Sequence, residues 1–239
     1  MYFMLGVIVN VFTVLLGSTI GLLCKKGIPE KLTQAVMLGI GLCTLYIGIS
    51  GTLQGENTLV LIISIVIGAM IGTLLDIDQR INQLANWVER KFKKGQGKTS
   101  LAEGFVTACL LFCIGAMPIV GSLNAGLSGD NEMLFTKSLL DFISSIMLSV
   151  SLGAGVLLSA AFVLVFQGGI VLMAQWLQPI LTGSAIAEIT CVGSLLIIAL
   201  GFNIIGITKI KVANYLPAIV VAPLLCWVFQ LPALQAILG

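Results

Sequence analysis

Histidine is absent from the 239 residues. That excludes imidazole metal ligands and the side chain whose ordinary pKa best suits proton relays near neutral pH. Charge is nearly as scarce. Twelve Lys and Arg and ten Asp and Glu make up 9% of the chain, against about 25% in a soluble domain. So few charges cannot clothe a water-facing surface, which excludes a soluble globular protein. The net charge of +2 is too small to attract nucleic acid. The opening MYFMLGVIVNVF has no basic n-region and no small-residue cleavage site. It reads as a first transmembrane helix rather than a cleaved signal.

Other absences concern chemistry. Six cysteines are scattered at 24, 43, 109, 113, 191 and 226. Cys109 and Cys113 share a helix face, but two thiols alone make a poor metal site and read as small core hydrophobes. The fragment Gly95-Gln-Gly-Lys-Thr99 imitates a phosphate-binding loop. It fails the pattern, because Phe92 stands where the first glycine belongs and no strand precedes it. The remaining carboxylates and thiols are spaced too loosely for a nucleophile or metal cluster, so neither an enzyme nor a cofactor is expected.

What is present is apolar sequence in membrane lengths. Hydrophobic residues make up 58% of the chain, mean hydropathy is +1.12, and runs of about 20 apolar residues recur. The expected fold is all-α: a polytopic membrane helical bundle of about eight transmembrane helices. Residues 1–75 form a first three-helix unit, with helices at 3–23, 32–53 and 58–75. Residues 76–100 form a cytoplasmic linker. Within it, 76–94 alternate apolar and charged residues at helical spacing, so this segment lies either on the membrane surface or against another part of the protein. Residues 101–184 form a second unit, with helices at 101–120, 134–150 and 155–174. Residues 185–239 form a C-terminal hairpin with helices at 185–205 and 215–234.

Lys and Arg placement sets the orientation. With the N-terminus outside, eleven of the twelve basic residues are cytoplasmic and only Lys137 is not. If 134–174 were one crossing, Lys209 and Lys211 would move outside and the ratio would fall to nine against three. Eight crossings therefore fit better, with both termini periplasmic in a bacterial inner membrane. At an offset of 100, Phe12 matches Phe112, and Gly21, Gly55 and Gly68 match Gly121, Gly155 and Gly168. Three crossings on each side of a cytoplasmic linker make the second unit inverted, an arrangement recurrent in transporters. Two GxxxG pairs, Gly17/Gly21 and Gly68/Gly72, offer more close-packing surface than one bundle obviously needs, so a homodimer is expected.

The stretch 103–145 organises the chain. An apolar run carrying Pro118 and Gly121 dissolves into a glycine-rich acidic loop. Lys137 follows, with Asp141 one helical turn later inside the next apolar run. An ionisable group at the bilayer centre costs at least about 2.5 kcal/mol, so Asp141 is either functional or paired structurally with Lys137 at i−4. The Pro118–Gly121 break, followed by Ser122 and Asn124, reads either as a re-entrant lining or as an ordinary helix end. Glu188 is either part of a pathway or a solvated helix start. Asn10, Gln167 and Asn203 either coordinate an ion or hydrogen-bond between helices. A path between the two units brings Asn10, Ser122, Asn124, Asp141 and Gln167 together, with Lys137 setting the charge state of Asp141. The expected partners are the bilayer and a small ion or solute.

At LLFCIGAMPIVGSLNAGLSGD and LFTKSLLDFISS the chain resembles the YqgA/YdfK-type bacterial inner-membrane proteins, a family of unknown function. The Asn10 region, Gln167-Gly-Gly169, Glu188 and VANYLPA at 212–218 fit it too, so the resemblance covers nearly the whole chain. It implies an inner-membrane location and, from the label its members often carry, transport. It implies no catalytic residue. From the residues themselves the expected function is a transporter or channel, passive or ion-coupled since no nucleotide site is visible. The alternative is a membrane scaffold or regulator. A polar cavity reaching the midplane would favour the first and a dry core the second.

Overall fold

A computed structural model describes residues 2–24, 30–92, 101–114 and 116–229. Among these residues every regular element is helical. The first three long helices are α1 (Leu5–Cys24), α2 (Glu30–Thr52) and α3 (Thr58–Leu74). Then come α4 (Ile77–Phe92), α5 (Leu101–Cys113), α6 (Ala116–Ser128), α7 (Glu132–Leu152) and α8 (Gly155–Leu172). The short α9 (Ala174–Leu177) leads to α10 (Gly183–Ile204), a 3-10 turn Val212–Tyr215 and α11 (Pro217–Phe229). Four of these are long and apolar enough to cross a membrane: Tyr2–Cys24, α7, α8 and α10. The number reaches six if two bent pairs each count as one span. These are α3 with Ile77–Gln83, bent by 51°, and α5 with Met117–Ser128, bent by 60°.

The expected break at Pro118–Gly121 falls earlier in the chain. The helix ends at Cys113 and a new one starts at Ala116, so Pro118 occupies a first turn, where its missing N–H leaves no bond unmade. Gly121 continues α6 against Leu134. The loop shrinks to 129–131, with Gly129 at φ 76. The stretch 134–174 does divide in two. The turn is at Gly153, whose φ of 79 suits glycine because it has no Cβ.

Glycines mark where the helices close on one another. Along α1, Gly6, Gly17 and Gly21 lie against Leu134, Phe142 and Ile146 of α7 in that order, so the two helices run parallel. Along α2 and the turn after it, Gly41, Gly48, Gly51 and Gly55 lie against Ile204, Ile198, Ser194 and Cys191 of α10, so that pair is antiparallel. Gly68 meets Ala218 and Gly72 meets Asn214. Small residues let the backbones close in, which replaces the hydrophobic drive that lipid removes. Both GxxxG pairs are thus used inside the protomer, which removes the reason the sequence offered for a dimer. The offset-100 pairs occupy unlike surroundings: Phe12 is exposed and Phe112 buried, while Gly55 meets Cys191 and Gly155 meets Leu101 and Phe105.

Of the amphipathic segment, Ile77 and Ile81 pack on a cluster that includes Val106, Leu110, Leu196 and Val212, so its first half rests on the protein. Trp87 is 57% exposed. Residues 93–94 of that segment, and the fragment at 95–99, lie outside the described residues.

A methyl group at Gly17 would overlap the Phe142 carbonyl and the Ser145 side chain, whereas at Gly39 it would meet nothing within 4 Å. Gly17→Ala should therefore lower the melting temperature in detergent, by about 1–3 kcal/mol in stability. Gly39→Ala should leave it unchanged or raise it.

Candidate functional site

The side chains that the sequence singles out on α1, α7 and α8 meet inside the bundle. Asn10 Nδ2 donates to Asp141 Oδ2 and to Gln167 Oε1, both at 3.1 Å. Lys137 Nζ forms an ion pair with Asp141 Oδ1 and stands 5.7 Å from the centre of the Phe112 ring, within cation–π range. Asp141 is 3% exposed and Lys137 6%, and Asn10 and Gln167 are fully buried. Asp141 lies 11 residues before the end of α7, and Gln167 lies 12 residues after the start of α8. At 1.5 Å per residue, each is about 16–18 Å from the turn. Both reach the same amide of Asn10, so α7 and α8 fold back on one another as a hairpin.

Local sequence accounts for this arrangement. The i,i+4 spacing of Lys137 and Asp141 puts both on one face of α7. Gly17 and Gly21 draw α1 close enough for Asn10, about two turns away, to reach across. Each carboxylate oxygen receives one donor, which offsets part of the desolvation cost. Two polar atoms of the cluster, Asn10 Oδ1 and Gln167 Nε2, have no protein partner.

The other candidates are placed differently. Ser122 is buried and its hydroxyl also lacks a protein partner. Asn124 is half-buried in α6, and its carbonyl accepts from the Ser128 hydroxyl. Neither makes a described hydrogen bond to the Asn10 cluster. Glu188 is no solvated helix start: it is 2% exposed, and its Oε1 accepts the backbone N–H groups of Glu56 and Asn57, each at 2.7 Å. It ties α10 to the turn before α3, where the helix dipole favours a negative charge. Asn203, near the end of α10, closes the following loop. Its Oδ1 accepts from Thr208 Oγ1 and Ile210 N–H, and its Nδ2 donates to the Ile210 carbonyl.

Two residues of the same kind escaped the sequence reading. Asn131 Oδ1 accepts the Gly6 N–H at 2.9 Å, capping α1 from the α6–α7 loop. Asn214 Oδ1 accepts the Asp78 N–H at 2.8 Å, capping α4 from the 3-10 turn. Asparagine in a loop is too common to mark such a role. Among the described residues, no group of three Cys, Asp or Glu is arranged to hold a metal ion.

Comparison with known proteins follows the same outline. The family described as Protein of unknown function (DUF554) matches residues 5–227. The chain belongs to this family. It is 36% identical over 231 residues to the Uncharacterized membrane protein YdfK of Bacillus subtilis, covering 95% of this chain and 97% of that one. It is 30% identical over 221 residues to the Uncharacterized protein YqgA of Escherichia coli, covering 91% and 94%. No solved structure matches. The expected kinship is therefore established over nearly the whole chain. With its several apolar helices, and a relative described as a membrane protein, this family member is a membrane protein.

The Glu188 clamp is testable on its own. Glu188→Ala should cost about 1.5–3 kcal/mol per lost charge-assisted bond, and Glu188→Gln, which keeps an acceptor, should cost less. Thermal unfolding of both variants checks this. Melting temperatures of both variants equal to that of the parent would show that the clamp contributes little.

Proposed function

We propose that this protein is an integral membrane transporter or channel that carries a small ion or solute past Asn10, Lys137, Asp141 and Gln167, passively or coupled to an ion. The observation that carries the reading is a buried charged pair in the middle of three helices, joined to two carboxamides that each keep one polar atom without a protein partner. Polar groups in a chain this apolar are least costly where they share a path for water or a polar cargo.

In the topology we propose, eight helices cross the bacterial inner membrane and both termini are periplasmic. Helices α1, α2, α3, the bent α5–α6 pair, α7, α8, α10 and α11 form the crossings. The contacts support alternating directions: Gly6 with Asn131, and Glu188 with Glu56 and Asn57, fall at one end. Gly104 with Leu152, and Asn214 with Asp78, fall at the other. The second end holds Lys209 and Lys211, as the basic asymmetry of the sequence requires. Three crossings on each side of 76–100 then give an inverted 3+3 order. The transport reading does not depend on that repeat.

A scaffold or regulatory role is the second reading. It is favoured by the pairing of Lys137 with Asp141, which leaves the cluster without net charge. Lys137→Gln combined with Asp141→Asn separates the two readings, because it removes both charges and leaves no unpaired ion. Each single change should cost about 3–5 kcal/mol through the charge it strands; the double variant should fold with a near-native melting temperature. In liposomes screened for ion flux, transport predicts that the double variant loses or alters the flux of the parent. Unchanged flux in a folded double variant would remove the site assignment.

A further inference from the structure

A cavity of 170 Å³ lies between α2 and α7, with Asp141 and Phe112 of α5 in its wall. Its inner residues, among them Ile40, Thr44, Phe112 and Leu148, are buried, whereas Cys43, Ile47 and Met147 at its edge are exposed. At the mouth, Cys43, Ile47 and Met147 each stand five or more residues inside the nearer end of α2 or α7, about 7 Å or more along the helix axis, so the mouth opens at the depth of the hydrocarbon. Nothing in the Asn10 cluster accounts for this opening. We propose that it is a lateral binding site for a small neutral amphiphile, with an apolar body about the size of a benzene ring and one hydroxyl that donates to Asp141. The proposal rests on the reading of α2 and α7 as membrane-crossing helices.

Three features select that ligand. An apolar cavity of about 150 Å³ is known to admit benzene, so the space holds a ring. Asp141 accepts one donor at each oxygen, from Lys137 and from Asn10, and a carboxylate can accept about four. The Lys137–Asp141 pair is already neutral, so a cationic or anionic ligand would leave a net charge in hydrocarbon, where it is expensive. A hydroxyl adds a bond without adding charge. A ligand entering from the lipid side must also partition into lipid, which a neutral amphiphile does. Free alcohols and the hydroxyl groups of membrane lipids share this chemistry.

Cys43 at the mouth makes the site measurable, and Cys24, also exposed, serves as an internal control. The native protein in phosphatidylcholine nanodiscs would be treated at pH 9 with excess N-ethylmaleimide, which enters lipid and there meets the small thiolate fraction, and the slow alkylation of Cys43 and the faster one of Cys24 followed by peptide mass. Benzyl alcohol should slow alkylation of Cys43 about threefold at twice its dissociation constant, since protection scales with 1 + [L]/Kd, and should leave Cys24 unaffected. Toluene and benzylammonium at equal membrane concentration should protect less. Monooleoylglycerol, a lipid bearing hydroxyls, should protect if the natural ligand is a lipid and fail to protect if it is a free alcohol. No protection by benzyl alcohol would overturn the proposal, as would equal protection by toluene or stronger protection by benzylammonium. Ser144→Leu, which grows a side chain into the cavity, should abolish protection at an unchanged melting temperature; persisting protection would show that the alcohol sits elsewhere. Protection of Cys43 in a protein that shows no flux would keep this site and remove the transport reading, and flux without protection would do the reverse.

Discussion

A carboxylate cannot stand alone among hydrocarbon chains, and Asp141 is the group around which the bundle must be built. It draws an ammonium from its own helix and an amide from α1, and that amide in turn holds Gln167 of α8. Three helices are thereby fixed in register by one group. Lipid offers no hydrophobic drive to hold them so; packing and interhelical hydrogen bonds must do it. The glycines of α1 supply the close approach and the polar cluster supplies the specificity.

The same device recurs at the ends of the bundle. Asn131, Glu188 and Asn214 each accept backbone N–H groups from a distant segment, capping α1, the turn before α3, and α4. Helix ends leave N–H groups without intrahelical partners, and near lipid an unmet donor is costly. The three side chains meet those donors and, in doing so, decide which helix stands beside which. A chain with 9% charged residues places its few polar groups where they order the fold.

Composition and run length made the membrane class and the helices legible, because both follow from what hydrocarbon tolerates. The Lys137–Asp141 pair was legible from i,i+4 spacing, and Asn10 and Gln167 from being amides in apolar runs. Glu188 was harder. Near a helix start, burial and exposure look alike in sequence, and only the position of the 56–57 turn decides between them. Pro118 misled for a local reason: proline breaks a helix interior but suits a first turn, and which applies depends on where the break has already occurred. The glycine pairs were recognisable as close contacts, while their partners, α7 and the Asn214–Ala218 segment, are set by topology and cannot be read from spacing.

The central claim is that the Asn10 cluster lines a path open to water at some stage of the protein's cycle. Water access at Asn10 tests it most directly. Asn10→Cys, confirmed as folded by gel filtration, would be exposed in liposomes to a charged, membrane-impermeant methanethiosulfonate reagent. The account predicts that this thiol is modified, while the buried Cys113 in the same molecule is not. An Asn10→Cys thiol as inert as Cys113 would contradict it and leave the cluster as a sealed structural core.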